Sequence, residues 1–154
     1  SSAASDVYKR QLLPAYRGAK WLADRHSATL EQRALADFIA GGHFERVVRM
    51  SRTRYGERRD VLLAGLREAP GSPYAVSGAA TGLHVLARLP GLRAADLDRL
   101  VHLAAEREVG VYPAAPYFLN PADAPAALLF GFATIEPAEI RAGLARLQDA
   151  LSAL

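Results

Sequence analysis

The strongest constraint on the fold comes from one run of the sequence, residues 30–66, which reads LEQRALADFIAGGHFERVVRMSRTRYGERRDVLLAGL. Apolar residues recur at helical spacing on both sides of Gly41 and Gly42, and paired glycines disfavour a continuous helix. The run therefore predicts a helix, a break at the glycines and a second, long helix. The stripe that the second helix should bury consists of Phe44, Val48, Ser51, Tyr55, Leu62 and Leu66.

Arginine supplies almost all the positive charge of this long helix. Arg58 and Arg59 flank the apolar stripe, and we predict that they form structural salt bridges, with an anion or a partner subunit as the alternative. The other arginines surround the helix instead of forming one row, which argues against a dedicated nucleic-acid surface. Those that point away from the stripe are Arg46, Arg49 and Arg54.

The remainder of the chain predicts a mixture of short strands and helices. A turn at residues 70–73 precedes an alternating strand, residues 83–89, which should form a hairpin with residues 74–77. Pro137 favours the start of a last helix. The resulting order, α-α-β-β-α-β-β-α, predicts an α+β fold. The other predicted elements are a helix over 94–108 that ends at Gly110 and strands over 109–112 and 127–133, separated by a proline-rich loop.

The sequence lacks the residues and motifs that several classes of protein chemistry require. The chain has no Cys and only four scattered His, so we predict no metal site and no disulfide. It contains no phosphate-binding loop, dinucleotide fingerprint, zinc-protease motif or serine-hydrolase motif. No apolar run approaches the roughly 20 residues of a membrane span, so we predict no membrane contact and a cytoplasmic location. Residues 1–11, SSAASDVYKRQ, are predicted to be a non-native or disordered leader.

Four segments, in order, carry a resemblance to a known family. They are DRHSATLEQRALADFIAGGHFERVVRMSRTRYGERRDVLLAGL, ATGLHVLARLP, AAEREVGVYPAAPYFL and ALLFGFATIEPAEIRAGLARL. Together they span about residues 15–154 and resemble the MocR-type branch of the GntR transcription regulators. Those proteins join an N-terminal winged-helix DNA-binding domain to a domain similar to fold type I aminotransferases.

The resemblance implies an α+β fold: the C-terminal small domain of a pyridoxal-phosphate-dependent transferase of fold type I. Residues 12–40 would be the tail of the large domain with a linking helix, and residues 41–154 the small domain. In that fold a Lys upstream of these residues holds pyridoxal 5'-phosphate covalently. Neither Lys9 nor Lys20 lies in the family's lysine motif. We therefore expect the cofactor in the full-length parent, without a covalent bond to this part.

The resemblance also implies two cofactor-binding candidates. Thr29 could contact the phosphate in a neighbouring subunit, because the segment Ser27–Thr29 lies near that group in related enzymes. Its alternative role is the N-cap of a helix that begins at Leu30. Tyr55 could approach a cofactor edge, although its place on the apolar stripe favours a core aromatic residue. No catalytic residue and no metal ligand is predicted.

Leu129 is the main departure from the enzymes of this fold, which usually place a carboxylate-binding Arg at that position. Leu cannot replace the two parallel hydrogen bonds of an Arg. The difference favours an effector-sensing domain of a regulator: a homodimer in the parent that binds an amino compound or pyridoxal phosphate, and DNA only through a winged-helix domain. The alternatives are a C-terminal part of an active class I/II aminotransferase and a stand-alone α+β interaction module.

Overall fold

The computed structural model describes residues 2–25, 28–71, 73–80 and 82–154. The described chain forms two compact units, one up to Val48 and one from Arg49 to Leu154. The division falls within a long helix, eight residues after the predicted boundary between residues 40 and 41. The assignment of these parts to large and small domains stays a prediction.

The first unit is helical. Helix α1 covers Ser2–Asp24 and helix α2 covers Thr29–Ala40. Helix α1 begins inside the predicted leader, whose non-native origin stays a prediction. Gly42 has φ of +72°, a conformation that suits Gly, and the next helix, α3, covers His43–Glu68. The predicted break at the two glycines is therefore confirmed.

The predicted capping role of Thr29 is wrong. Thr29 is the first residue of α2, and Ala28 occupies the N-cap position without a side-chain hydrogen bond to the helix. Because Ala has no side-chain acceptor, the N-cap residue itself cannot bond the free N–H groups of the first turn. Ser27, the other end of the predicted phosphate-binding segment, and His26 lie outside the described residues.

The second unit is built on a four-stranded antiparallel sheet. Strands β1 and β2, Ala75–Ser77 and His84–Arg88, form the predicted hairpin. Strand β4, Ala127–Gly131, pairs with β2 along its length, and β3, Tyr112–Pro113, pairs with the first half of β4. The strand order is β1-β2-β4-β3. Since β3 is only two residues long, β4 has an uncovered edge beyond Leu129.

The two faces of the sheet differ in burial. Val85 and Ala87 are fully buried, whereas His84 and Arg88 at the ends of the same strand are exposed, in keeping with the alternating sequence. The register places Leu128 on the same face as Ala87, and places Leu129 on the opposite face beside Leu86. The helices cover the first face. Its buried core includes Leu62 and Leu66 of α3, Leu97, Leu100 and Ala104 of helix α4 (Leu97–Ala105), and Ile140, Leu147 and Ala150 of helix α5 (Pro137–Ser152).

Two predictions after α4 are wrong in detail. The helix ends at Ala105, not at 108, and Gly110 does not terminate it. Glu108 has φ of +59°, and the N–H of Val109 donates to the carbonyl of Ala104 at 2.9 Å. This turn uses the left-handed conformation before Gly110 is reached. Because the backbone of Val109 bonds to the helix, the predicted strand over 109–112 begins only at Tyr112.

Helix α5 begins where Pro137 predicts. Glu136 caps it through a capping box, in which the N–H of Glu136 donates to the Glu139 carboxylate at 3.1 Å. A Cβ at Gly65 of α3 would collide with Leu144 of α5, so this glycine permits the close approach of the two helices.

Tyr74 makes stability sensitive to alkaline pH. Its ring packs edge-on against Phe130, and burial raises the pKa of Tyr74 to about 12 from 10.0. The folded state therefore retains the phenolic proton at pH values where the unfolded state loses it. The stabilising contribution is complete below about pH 10 and is lost as the pH rises towards 12. Urea midpoints at pH 9 and 11 should differ less in Tyr74→Phe than in the parent chain. Tyr112→Phe, a change at an exposed ring, should behave like the parent.

The first unit displays much uncovered apolar surface. Helix α2 has no buried residue, and Leu30, Leu35 and Ile39 are each more than half exposed. Exposed apolar surface of this kind favours association. We expect the isolated chain to self-associate, with a mass in sedimentation equilibrium that increases with protein concentration. A monodisperse monomer that unfolds cooperatively would contradict this expectation.

Candidate functional site

A largely apolar cavity of about 440 Å³ lies at the uncovered edge of β4. We call it the β4 cleft. Strand β4 supplies Leu129, Phe130 and Gly131, and α5 supplies Ile140 and Leu144. Strand β3 begins only opposite Leu129 and runs towards Leu128, so in the described structure it does not pair with the second half of β4, where the cleft lies.

Few polar groups line the β4 cleft. His84, exposed on β2, and Tyr112, exposed on β3, stand near Leu129 in the sheet. The carboxylate of Glu139 accepts the N–H of Glu136 in the helix cap. No Arg or Lys of the described ranges lines the cleft. A ligand carboxylate would therefore find hydrogen-bond donors here but no cation.

Leu129 occupies the centre of this region, next to Tyr112 on one side and Leu86 on the other. Its side chain is partly buried on the open face of the sheet. Leu129 is one of the residues that line the β4 cleft, and the register places its side chain on the face of the sheet opposite the helices. Leu offers only an apolar surface at this position, whereas an Arg would carry five hydrogen-bond donors.

The two predicted cofactor contacts lie in different units. Thr29 is exposed at the start of α2. Tyr55 is half-buried on α3 and packs against the core cluster that includes Leu62 and Phe132. It also lines a second cavity. The core role favoured for Tyr55 is confirmed by this packing, and the cofactor roles of both residues stay predictions.

Arg58 makes the structural salt bridge predicted for it. Its guanidinium donates to the carbonyl oxygen of Ala133 and to the Glu136 carboxylate, and only 13% of its side chain is exposed. Arg59 instead pairs with its neighbour Asp60, at 2.9 Å. The sequence pattern did not reveal the partners of Arg58, because they lie 75 and 78 residues away along the chain.

The described residues do not fit a covalent pyridoxal phosphate site. That cofactor requires a Lys in a sheltered cleft, where its amine can be held against the pyridine ring. Lys20 lies on α1, is two-thirds exposed, and forms a 2.7 Å ion pair with Asp24. It is therefore a surface residue, as the sequence predicts. No step of a reaction is assigned to it.

The described residues contain neither a cluster of metal ligands nor a helix suited to a membrane. Within the described ranges, no three His, Asp or Glu residues lie close enough together to hold a metal ion. No helix in the same part of the chain is long and apolar enough to cross a membrane.

Comparison with known proteins relates the chain to transcription regulators. No family model matches it. It is 31% identical over 123 residues, 80% of its length, to the Bacillus subtilis (strain 168) protein named "Uncharacterized HTH-type transcriptional regulator YhdI". It is 29% identical over 148 residues, 96% of its length, to the "Probable rhizopine catabolism regulatory protein MocR" of Rhizobium meliloti. Over most of its length the chain is therefore similar to MocR-type regulators. It spans 26% and 29% of the lengths of these two relatives, so it matches only a part of a MocR-type protein.

Solved structures of aminotransferases share the fold of the chain. The kynurenine aminotransferase of Pyrococcus horikoshii superposes with a TM-score of 0.80 at 19% identity, over 93% of the chain and 35% of the enzyme. The α-aminoadipate aminotransferase LysN of Thermus thermophilus gives 0.74 at 28% identity, over 93% of the chain and 36% of the enzyme. The chain therefore has the predicted α+β fold, that of a part of fold type I aminotransferases.

Proposed function

We propose that the chain is the C-terminal part of the effector-sensing domain of a MocR-type transcription regulator. The observation that carries this proposal is the β4 cleft, where Leu129 stands and no cation of the described residues lines the wall. An apolar wall with a few hydrogen-bond donors can hold a small ligand. It lacks an Arg, whose guanidinium would form two parallel hydrogen bonds to a substrate carboxylate, as in an aminotransferase.

In the proposed mechanism, ligand binding changes the population of two arrangements of a homodimeric parent. The effector is a small amino compound or pyridoxal phosphate, and the cofactor binds to residues upstream of this chain. The DNA-binding domain, a winged helix in the resemblance, also lies outside these residues. A ligand can bias such a dimer only by as much as its affinities for the two arrangements differ. Because a DNA-binding regulator acts where the DNA is, we propose a cytoplasmic location.

The test uses the complete protein encoded by the gene. Pyridoxal phosphate and a panel of amino compounds are added, and two properties are measured: affinity for its own promoter DNA and conversion of amino donor to keto product. We expect at least one compound to change DNA affinity several-fold while product formation stays at background. Steady turnover with unchanged DNA affinity would instead favour the aminotransferase alternative.

Leu129→Arg tests the role of the β4 cleft directly. We expect the added guanidinium to strengthen binding of carboxylate-bearing amino compounds about tenfold, since hydrogen bonds to a charged group are among the strong ones. Leu119→Arg is the matched control, because Leu119 is fully exposed and does not line the cleft. An equal gain in both variants would mean that general charge, and not the cleft, controls ligand affinity.

The interaction-module alternative makes a different prediction. A module of that kind would bind neither pyridoxal phosphate nor amino compounds in its complete form. Absorbance spectroscopy of the purified complete protein therefore separates it from both other functions, because bound pyridoxal phosphate absorbs visible light and the polypeptide does not.

A further inference from the structure

We propose that a second cavity in the chain binds an oxyanion carried on a small apolar group, a carboxylate or a phosphate monoester. The cavity, which we call the arginine pocket, has a volume of about 470 Å³. This site goes beyond the proposed function, because that function assigns no ligand to this cavity. The residues that line it are Arg52, Tyr55, Gly56, Arg59, Gly82, Leu83 and Phe132.

Helical spacing brings the polar side of the arginine pocket together. Arg52, Tyr55 and Arg59 stand at positions i, i+3 and i+7 of α3, so they share one face of the helix. Gly56 lies between the two arginines, and a Cβ there would meet no atom within 4 Å. The helix surface beside Gly56 is therefore open, and no side chain fills this part of the pocket wall.

The charge of the pocket is only partly neutralised by carboxylates. Arg52 forms no ion pair or hydrogen bond with any residue in the described ranges. The Nε and Nη2 atoms of Arg59 donate to Asp60, at 3.2 and 2.9 Å, while the Nη1 atom has no acceptor there. Asp60 does not line the cavity, and neither does any other carboxylate of the described residues. Two guanidinium groups and a phenol thus face one cavity, and all of them can donate to oxygen.

The opposite wall of the pocket is apolar. Phe132 is buried, and Leu83 is partly exposed at the mouth. Arg58 is excluded from the site, because its guanidinium is already bonded to Ala133 and Glu136. A bare inorganic anion would use only the arginine side. An anion attached to a ring or short aliphatic group would use both walls, which is why we assign that class of ligand.

The experiment measures affinity for phenyl phosphate, benzoate and inorganic phosphate by ligand-observed NMR titration of the chain. We expect saturable binding of phenyl phosphate or benzoate, and the stronger of the two identifies the oxyanion. Inorganic phosphate should bind more weakly than phenyl phosphate. Arg52→Gln and Arg59→Gln should each weaken the aromatic anion about tenfold, since each removes a charge-assisted donor.

Arg54→Gln is the matched control. Arg54 is exposed on the same helix but does not line the pocket, so its removal should change affinity less than about twofold. Thermal unfolding of the variants should match the parent, because none of these three guanidinium groups is buried. If all three changes weakened the affinity for the aromatic anion equally, the anion would be attracted by the overall positive charge of the helix and not by the pocket. That result would overturn the proposal. So would the absence of saturable binding at millimolar ligand, or equal affinities for phenyl phosphate and inorganic phosphate.

Discussion

Leu66→Ala is expected to lower the free energy of unfolding by about 3 kcal/mol, the largest effect of any single change considered. Leu66 is 1% exposed and packs in the cluster that joins α3 to the sheet and to α5. Its neighbours there include Val85, Phe132 and Ile140. Removing three carbon atoms from this close-packed position leaves a cavity that its neighbours can fill only in part.

Ala is the best helix-forming residue, so the loss in Leu66→Ala would report packing and not helix propensity. Urea unfolding followed by circular dichroism measures it. Leu66→Met, which roughly conserves volume, should cost less than about 1.5 kcal/mol. Leu119→Ala, at a fully exposed residue of the same unit, should stay within about 0.5 kcal/mol of the parent. A loss below about 1 kcal/mol for Leu66→Ala would mean that α3 does not pack on the sheet as described.

Arg58→Ala should destabilise the chain by about 2 kcal/mol. The guanidinium of Arg58 joins the middle of α3 to the end of β4, through the carbonyl of Ala133, and to the cap of α5, through Glu136. Glu136 is 66% exposed, so solvent screens the ion pair and most of the effect should come from the partly buried carbonyl. That carbonyl loses its charged donor in the variant.

Glu136→Gln separates the two bonds of Arg58. It removes the charge of the acceptor but leaves the Ala133 carbonyl bonded, so we expect a loss of about 0.5 kcal/mol. Arg54→Ala, on the same helix and exposed, controls for the removal of an arginine. Urea unfolding at low and high salt completes the test, because only the ion-pair part should depend on salt. If Arg54→Ala were as damaging as Arg58→Ala, the bonds of Arg58 would not explain its effect.

The predictions that succeeded concern local features. The helix break at Gly41 and Gly42, the hairpin around residues 75–88 and the start of α5 at Pro137 are all confirmed. Each depends on backbone preferences or alternation within a few residues, and these act wherever the segment lies. The same local reasoning failed at Thr29, because α2 begins one residue earlier than the predicted start at Leu30.

The candidate sites could not be predicted from local sequence patterns, because each contains residues that are far apart in the chain. The spacing of Arg52, Tyr55 and Arg59 was visible in the sequence, but their shared cavity required the wall formed by Leu83 and Phe132. The β4 cleft likewise depends on the extent of β3, whose start is delayed by the left-handed Glu108 and the bond from Val109 to Ala104. A left-handed Glu before an available Gly is not a preference that sequence statistics would favour.

The sequence by itself determined most of the secondary structure, the buried face of strand β2 and, through four ordered segments, the family resemblance. The secondary structure and the buried face follow from periodicity and from short-range backbone preferences, which need no knowledge of distant residues. Only the tertiary structure decided which residues meet: the bonds from Arg58 to Ala133 and Glu136, the place of Leu129 in the β4 cleft, and the two walls of the arginine pocket. Contacts between residues far apart in the chain depend on how the packed layers align, and no local pattern records that alignment.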